Sequence, residues 1–185
     1  MNRDEALRLV REHVKNENLV NHMIAAEAIM GALAKRLGGD EERWRLAGLL
    51  HDLDVEETEA TMEVHGIRTV QWLRDAGFND EEVLHAILAH NSDSNGSTVD
   101  TMMDRALFAS DCLTGLITAA ALVRPEKRLA PVELKSLRKR FKEPSFAKGA
   151  RREDIMTCDQ LGLDLDEFLA IGLEAMKEVA DELGL

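Results

Sequence analysis

The chain predicts an all-α fold, a compact helical bundle, on three observations. Apolar residues recur at helical rather than alternating spacing, and proline occurs only at 125, 131 and 144. The apolar complement is Leu, Ala, Ile, Val and Met, with no Tyr and five Phe. A length of 185 residues supports one sizeable core and is short for two, so a single domain over 1–185 is expected.

Leu7, Val10 and Val14 mark a first helix. Ile24, Ala28, Gly31 and Leu33 lie in a second, which Gly38-Gly39 ends because glycine takes the left-handed conformation of a C-terminal cap. Asp40 has the character of the N-cap of a third, Glu41 to Leu50, which delivers His51-Asp52 at its end. An acid-rich loop follows, Asp54 to Glu63. Asn79 is placed as the cap of a helix Asp80 to His90, and Ser92 to Thr98 as a polar loop. A long helix then carries Asp111. Its stretch Ala106 to Val123 is long enough to span a bilayer, but a central Asp costs roughly 2.5 to 3.5 kcal/mol there, so a buried central helix and no membrane partner are expected. Pro131 opens a helix Val132 to Lys142, and Asp164 or Asp166 caps a final one that runs to Leu183.

His22, the pair His51-Asp52, His65, His90 and Asp111 supply six possible metal ligands in the order His, His-Asp, His, His, Asp. Imidazoles with a few carboxylates and no thiolate suit one or two divalent transition-metal ions, Fe or Mn, or else Co, Ni or Zn, rather than calcium. Asp111 interrupts an otherwise uncharged helix, where a bare buried carboxylate is costly. Either a metal neutralises it or a buried arginine does, such as Arg105 or Arg68. Asp104, two turns earlier, and Asp54 and Glu57, beside the pair, are candidates to orient a ligand or a water. His13 and His85 read as surface or supporting residues. Cys112 and Cys158 have no convincing histidine partner for thiol catalysis. Together with the start Met1-Asn2-Arg3-Asp4, which has no apolar signal region, they suggest a reducing cytoplasm.

As a set, these residues resemble the HD-domain superfamily of metal-dependent phosphohydrolases, in which a His, a His-Asp pair and a distant Asp occupy one helical domain. The resemblance implies an HD-domain helical bundle with additional C-terminal helices: a metal core over about 18–123, then a basic segment and C-terminal helices over 124–185. It places a primary metal site on His22, His51, Asp52 and Asp111. His65-Gly66 and Ala86 to Asn91 resemble the added histidines of two-metal members, in which the Asp of the pair bridges; Asp52 would take that role, with Asp52 and His51 central to catalysis. The chain has no Tyr and so lacks the Gly-Tyr-Pro motif of the cyclic-dinucleotide phosphodiesterases. His65-Gly66, Ile87 to His90 and Ser110-Asp111 read more like the branch that hydrolyses symmetrical dinucleoside polyphosphates. The same ligand order serves di-iron oxygenases related to inositol oxygenase, and a non-catalytic metal- or nucleotide-binding regulator is a further alternative.

The net charge is −12, yet residues 124–152 carry eleven Lys or Arg against Glu126, Glu133 and Glu143, a local +8 that leaves −20 on the rest. An acidic protein repels nucleic acid over most of its surface, so the segment is expected to form a phosphate collar for a small phosphorylated substrate, plausibly a nucleotide, with no nucleic-acid polymer as partner. Lys135, Arg138, Arg140, Lys142, Lys148, Arg151 and Arg152 are its candidate contacts.

Overall fold

A computed structural model describes all 185 residues, of which 69% are helical and none lies in a strand. The first three helix starts have a local cause. α1 (Arg3–His13) opens on Asn2, which closes a capping box with Glu5. α2 (Glu17–Leu37) begins at Asn16 and stops at Gly38, whose φ of 76° is the left-handed cap. α3 (Glu41–Leu50) is capped by Asp40.

α2 packs along α3, and Gly48 makes that approach possible. A Cβ there would lie 2.7 Å from Ala26 C and O and 2.8 Å from Glu27 N, backbone atoms that cannot turn aside. Gly48→Ala must therefore pry the two helices apart. It is expected to cost about 1–3 kcal/mol, the usual penalty of overpacking, read as a lower denaturant midpoint. A midpoint equal to the parent's would contradict this packing.

The acid-rich stretch is not an open loop. It holds one helical turn, α4 (Val55–Thr58), and a 3₁₀ turn Met62–Val64 before α5 (Ile67–Asp75). α6 (Glu81–Ala89) is capped by Asp80 rather than Asn79, because the Asp80 carboxylate accepts the Val83 N–H. Asp80 also receives Arg43 from α3 through two bonds of 2.7 and 2.6 Å, so α3 and α6 start from one clamp. Their far ends carry His51 and His90 at the C-caps. The polar loop contains one further turn, α7 (Ser92–Asn95).

α8 (Met102–Leu122) is long and apolar enough to cross a membrane, and here it lies inside the bundle against α2 and α6. Asp104 closes its capping box with Thr101. α9 (Leu134–Phe141) starts after Glu133, beyond Pro131, and is shorter than Val132 to Lys142. α10 (Arg152–Met156) and a 3₁₀ turn Thr157–Leu161 pack on α8. Asp164 caps α11 (Leu165–Glu178), and a break at Val179 separates the last turn, α12 (Ala180–Leu183). One contiguous cluster of 47 buried apolar residues runs from Ala6 to Leu183, so the C-terminal helices share the core of the N-terminal ones.

Candidate metal centre

Six side chains from five regions of the chain meet between α2, α3, α6 and α8. His22 Nε2 lies 3.2 Å from His51 Nε2, 3.0 Å from Asp111 Oδ1 and 3.5 Å from Asp52 Oδ2. On the other side of Asp52, Oδ1 is 3.1 Å from His65 Nε2, 3.4 Å from His90 Nε2 and 3.4 Å from His51 Nε2. His65 Nε2 and His90 Nε2 are 3.0 Å apart. Asp52 thus faces His22 with one oxygen and His65, His90 and His51 with the other. His22, His51 and Asp111 form one set with ligand atoms mutually within 4.8 Å; His51, Asp52 and His90 form another.

The other ring nitrogen of every histidine is committed. His51 Nδ1 donates to Gly48 O at 2.8 Å, and His90 Nδ1 donates to Ile87 O; each carbonyl is three residues back in the helix that ends there. The Thr114 hydroxyl donates to Asp111 O at 2.7 Å and can therefore only accept from His22 Nδ1, at 2.8 Å. The Thr58 hydroxyl donates to Asp54 O, so it too accepts, from His65 Nδ1 at 3.1 Å; that nitrogen also lies 2.7 Å from Asp54 Oδ1. With all four Nδ1 atoms carrying hydrogen, all four Nε2 lone pairs point into one space. Acceptors on acceptors at about 3 Å repel unless a cation or protons lie between them. Two nitrogens on one ion at roughly 2.0–2.1 Å each are separated by about that distance. The donor set fits a metal, and the converging C-termini of α3 and α6 add negative potential in its favour.

Protons fill the same role when no ion does. Burial disfavours the His22 imidazolium, but hydrogen bonds and charge from Asp111 and Asp52 outweigh it and push its pKa up to about 10. His65 rises to about 10 likewise, with Asp52 and Asp54 overcoming burial. Against the penalty of burial, the histidines hold Asp52 and Asp111 well below the usual carboxylate range.

Asp54 is the residue that sequence reading undervalued. It is fully buried and accepts Gly66 N–H at 2.9 Å and Thr69 N–H at 3.1 Å while holding His65. Gly66 sits at φ +81°, and a Cβ there would meet Ile87 O at 3.0 Å, so the turn that seats His65 requires glycine. Thr58, Thr114 and Asn91, whose amide holds the His65 and Met62 carbonyls, were not singled out from the sequence. Thr114 carries a weak local signal, lying one helical turn after Asp111.

Asp104 orients nothing at the centre: it receives Thr101 and Asp100 N–H groups and lies 2.9 Å from His85. Glu57 pairs with Arg68 at the surface, which removes Arg68 as a partner for Asp111, and Arg105 reaches the Met102 sulfur instead. His13 stacks on Trp72. Burial, helped by the Asp111 charge, pushes the Cys112 thiol up to about 12, so it stays protonated.

The basic segment divides. Arg152 is spent on backbone carbonyls, among them Phe141, Ala147 and Phe146, and closes the loop after α9. Arg140 pairs with Glu143 and lies over the Phe146 ring. Arg151 bridges Asp93 and Asp154, and Arg138 pairs with Asp166. Lys135, Arg138 and Lys142, with Lys139, line a separate surface groove. None of these, nor Lys148, lines the two grooves that reach His22.

The sequence profile described as HD domain matches residues 19–140. The chain belongs to the HD-domain family. That family is one of metal-dependent phosphohydrolases, and the His/Asp cluster agrees with its metal site. Relatives of this HD-domain chain include Ribonuclease Y of Lawsonia intracellularis, 32% identical over 63% of this chain and 22% of that protein. Ribonuclease Y of Thermoanaerobacter pseudethanolicus is 26% identical over 90% of this chain and 33% of that protein, and that of Desulforamulus reducens 29% over 90% and 32%. The chain therefore spans a third or less of the length of these relatives. No solved structure matches it at a significant level. Relatives named as ribonucleases overturn the expectation that a nucleic-acid polymer is excluded as a partner. A net negative charge averaged over the surface says little about a local binding face.

Proposed function

We propose that this HD-domain chain hydrolyses a ribonucleotide phosphoester with divalent metal. His22, His51, Asp52 and Asp111 would hold a first ion, and His65 and His90, with Asp52 between, a second. The observation that carries the reading is the convergence of four Nε2 lone pairs on two carboxylates, with every Nδ1 tied back. A divalent transition metal, Fe or Mn, or else Co, Ni or Zn, suits this mixed nitrogen and oxygen set. Bound there, such ions supply a hydroxide nucleophile near neutral pH and positive charge for the reacting phosphate.

The residues themselves divide the work. His51 is fully buried and the side chains of His65 and His90 are 4% exposed, so they form a dry floor, whereas His22 at 21% and Asp111 at 30% form the mouth. Two grooves meet there. One of about 540 Å³ runs past Asn18, Asn21, Thr114 and Thr118, and one of about 180 Å³ past Asp111, Cys112 and Ala150. Neither is lined by Lys or Arg, so neutral amides and hydroxyls would orient the nucleoside while the acidic and imidazole ligands hold the charge that meets phosphate. A small nucleotide and an RNA chain present the same group to this mouth; the relatives' name supports the chain.

Gly115 lines both grooves, and a Cβ added to it meets nothing within 4 Å. Gly115→Leu should keep the fold, since glycine inside a helix is itself unfavourable by about 1 kcal/mol, yet obstruct the mouth. The expected result is at least about a tenfold loss in kcat/KM, roughly 1.4 kcal/mol, with metal content unchanged. Parent-like kinetics would show that substrate enters elsewhere.

Metal-loaded protein is assayed against a panel of nucleotides, dinucleoside polyphosphates and short RNAs under anaerobic conditions. Hydrolysis without oxygen is expected. Turnover that requires oxygen and a mixed-valence iron signature would make the protein an oxygenase, and tight binding without turnover a regulator.

A further inference from the structure

Lys135, Arg138, Lys139 and Lys142 follow the i, i+3, i+4, i+7 spacing of one helix face, a stripe about 10 Å long at 1.5 Å per residue. All four are exposed, and they alone line a shallow surface groove of about 270 Å³. The opposite face is anchored: Leu137 is fully buried, and Leu134 and Phe141 pack on the core. The helix therefore cannot turn to hide its charge. Arg138, Lys139 and Lys142 fall in the last turn and C-cap, where the helix dipole tolerates cations, so the stripe can stand exposed. Of the four, only Arg138 is paired, with Asp166 at 2.7 Å. In a chain of net charge −12 this leaves three exposed lysines in line without a counter-charge.

We propose that the α9 stripe is a docking track for single-stranded RNA, separate from the metal centre. It rests on the reading of the substrate as a ribonucleotide phosphoester, and it extends that substrate to a chain long enough to occupy both places. A linear polyanion matches cations set in a line. A membrane surface does not, because none of the exposed large apolar residues of this protein lies on α9 to enter lipid. A protein partner fits poorly too, since the groove offers no aromatic or aliphatic anchor. Without an aromatic residue on which bases could stack, the track grips backbone phosphates and shows no sequence preference.

The test is fluorescence anisotropy with a labelled phosphorothioate single-stranded RNA, which resists cleavage, over a range of salt concentration. It compares the metal-loaded parent with Lys135→Gln/Lys139→Gln/Lys142→Gln; all three changes lie at exposed positions. The parent should bind with an affinity that falls linearly with salt on logarithmic axes. The triple variant should lose about 2 from the magnitude of that slope, at roughly 0.7 per phosphate contact, and bind about tenfold or more weakly at low salt. Its melting temperature and its turnover of a nucleotide monoester should match the parent's. Equal slope and affinity in the two proteins would overturn the track, as would preference of the same lysines for anionic vesicles or an acidic peptide over RNA. Failure of the hydrolase reading is separate, seen as absent turnover of every phosphoester while RNA binding persists.

Discussion

Asp52→Ala is expected to strip most of the bound metal and lower kcat/KM by about 10³-fold or more, a loss of roughly 4 kcal/mol in transition-state stabilisation. Asp52 stands between the two histidine groups, with Oδ1 toward His65, His90 and His51 and Oδ2 toward His22. Removing it leaves four nitrogen donors facing one another with Asp111 alone to balance the ions. Asp54→Ala is a graded comparison. It leaves every proposed ligand in place but leaves the His65 ring held by Thr58 alone, and changes one step behind a ligand typically reduce affinity or activity about 10- to 100-fold. Elemental analysis and steady-state kinetics on both variants check the order. Parent-like metal content in Asp52→Ala would refute the bridge between the two ions.

The second large effect is on stability: metal-free protein loses it as pH rises, while the increment that metal adds grows. In the metal-free state His22 and His65 titrate near 10 when folded, above an unfolded value near 6.5. A raised folded pKa contributes stability that is fully present below about 6.5 and lost as pH rises through about 10. Metal-free protein should therefore melt at progressively lower temperature across that window. Metal must displace the same protons, so its stabilisation should grow over the same range. At an ion concentration about 1,000 times Kd, binding adds roughly 4 kcal/mol. For a chain of this size that raises Tm by roughly 8–16 °C. Calorimetry at several pH values, with and without added Mn, follows both trends. A metal-free Tm that stays level up to pH 9.5 would show that protons do not take the place of the cation.

What was legible in the sequence is what local chemistry decides. Asp40 and Asp164 cap the helices they precede, Gly38 ends α2, and the ligand order could be read because imidazole and carboxylate carry their chemistry wherever they sit. What escaped depends on distant chain. Asp54 looks like one more acid in a run of acids, and only the return of α5 over it, with Gly66 and Thr69 offering N–H groups, turns it into a buried anchor for His65. Arg152 reads as a phosphate ligand until the loop after α9 folds its carbonyls around the guanidinium. The choice of Asn79 over Asp80 failed because both residue types cap helices, and Arg43, far away in sequence, fixes the Asp80 carboxylate. Lys139 drew no notice among its basic neighbours, although helical spacing alone sets it on the exposed face with Lys135 and Lys142.

Four histidines and two aspartates converge in this protein because they hold metal. Elemental analysis of anaerobically purified protein, combined with thermal shift on addition of Mn, Fe, Co, Ni or Zn, tests it most directly. Between one and two equivalents of transition metal per chain are predicted, with a higher melting temperature in their presence. Protein that carries none, and that none of these ions stabilises, would contradict it.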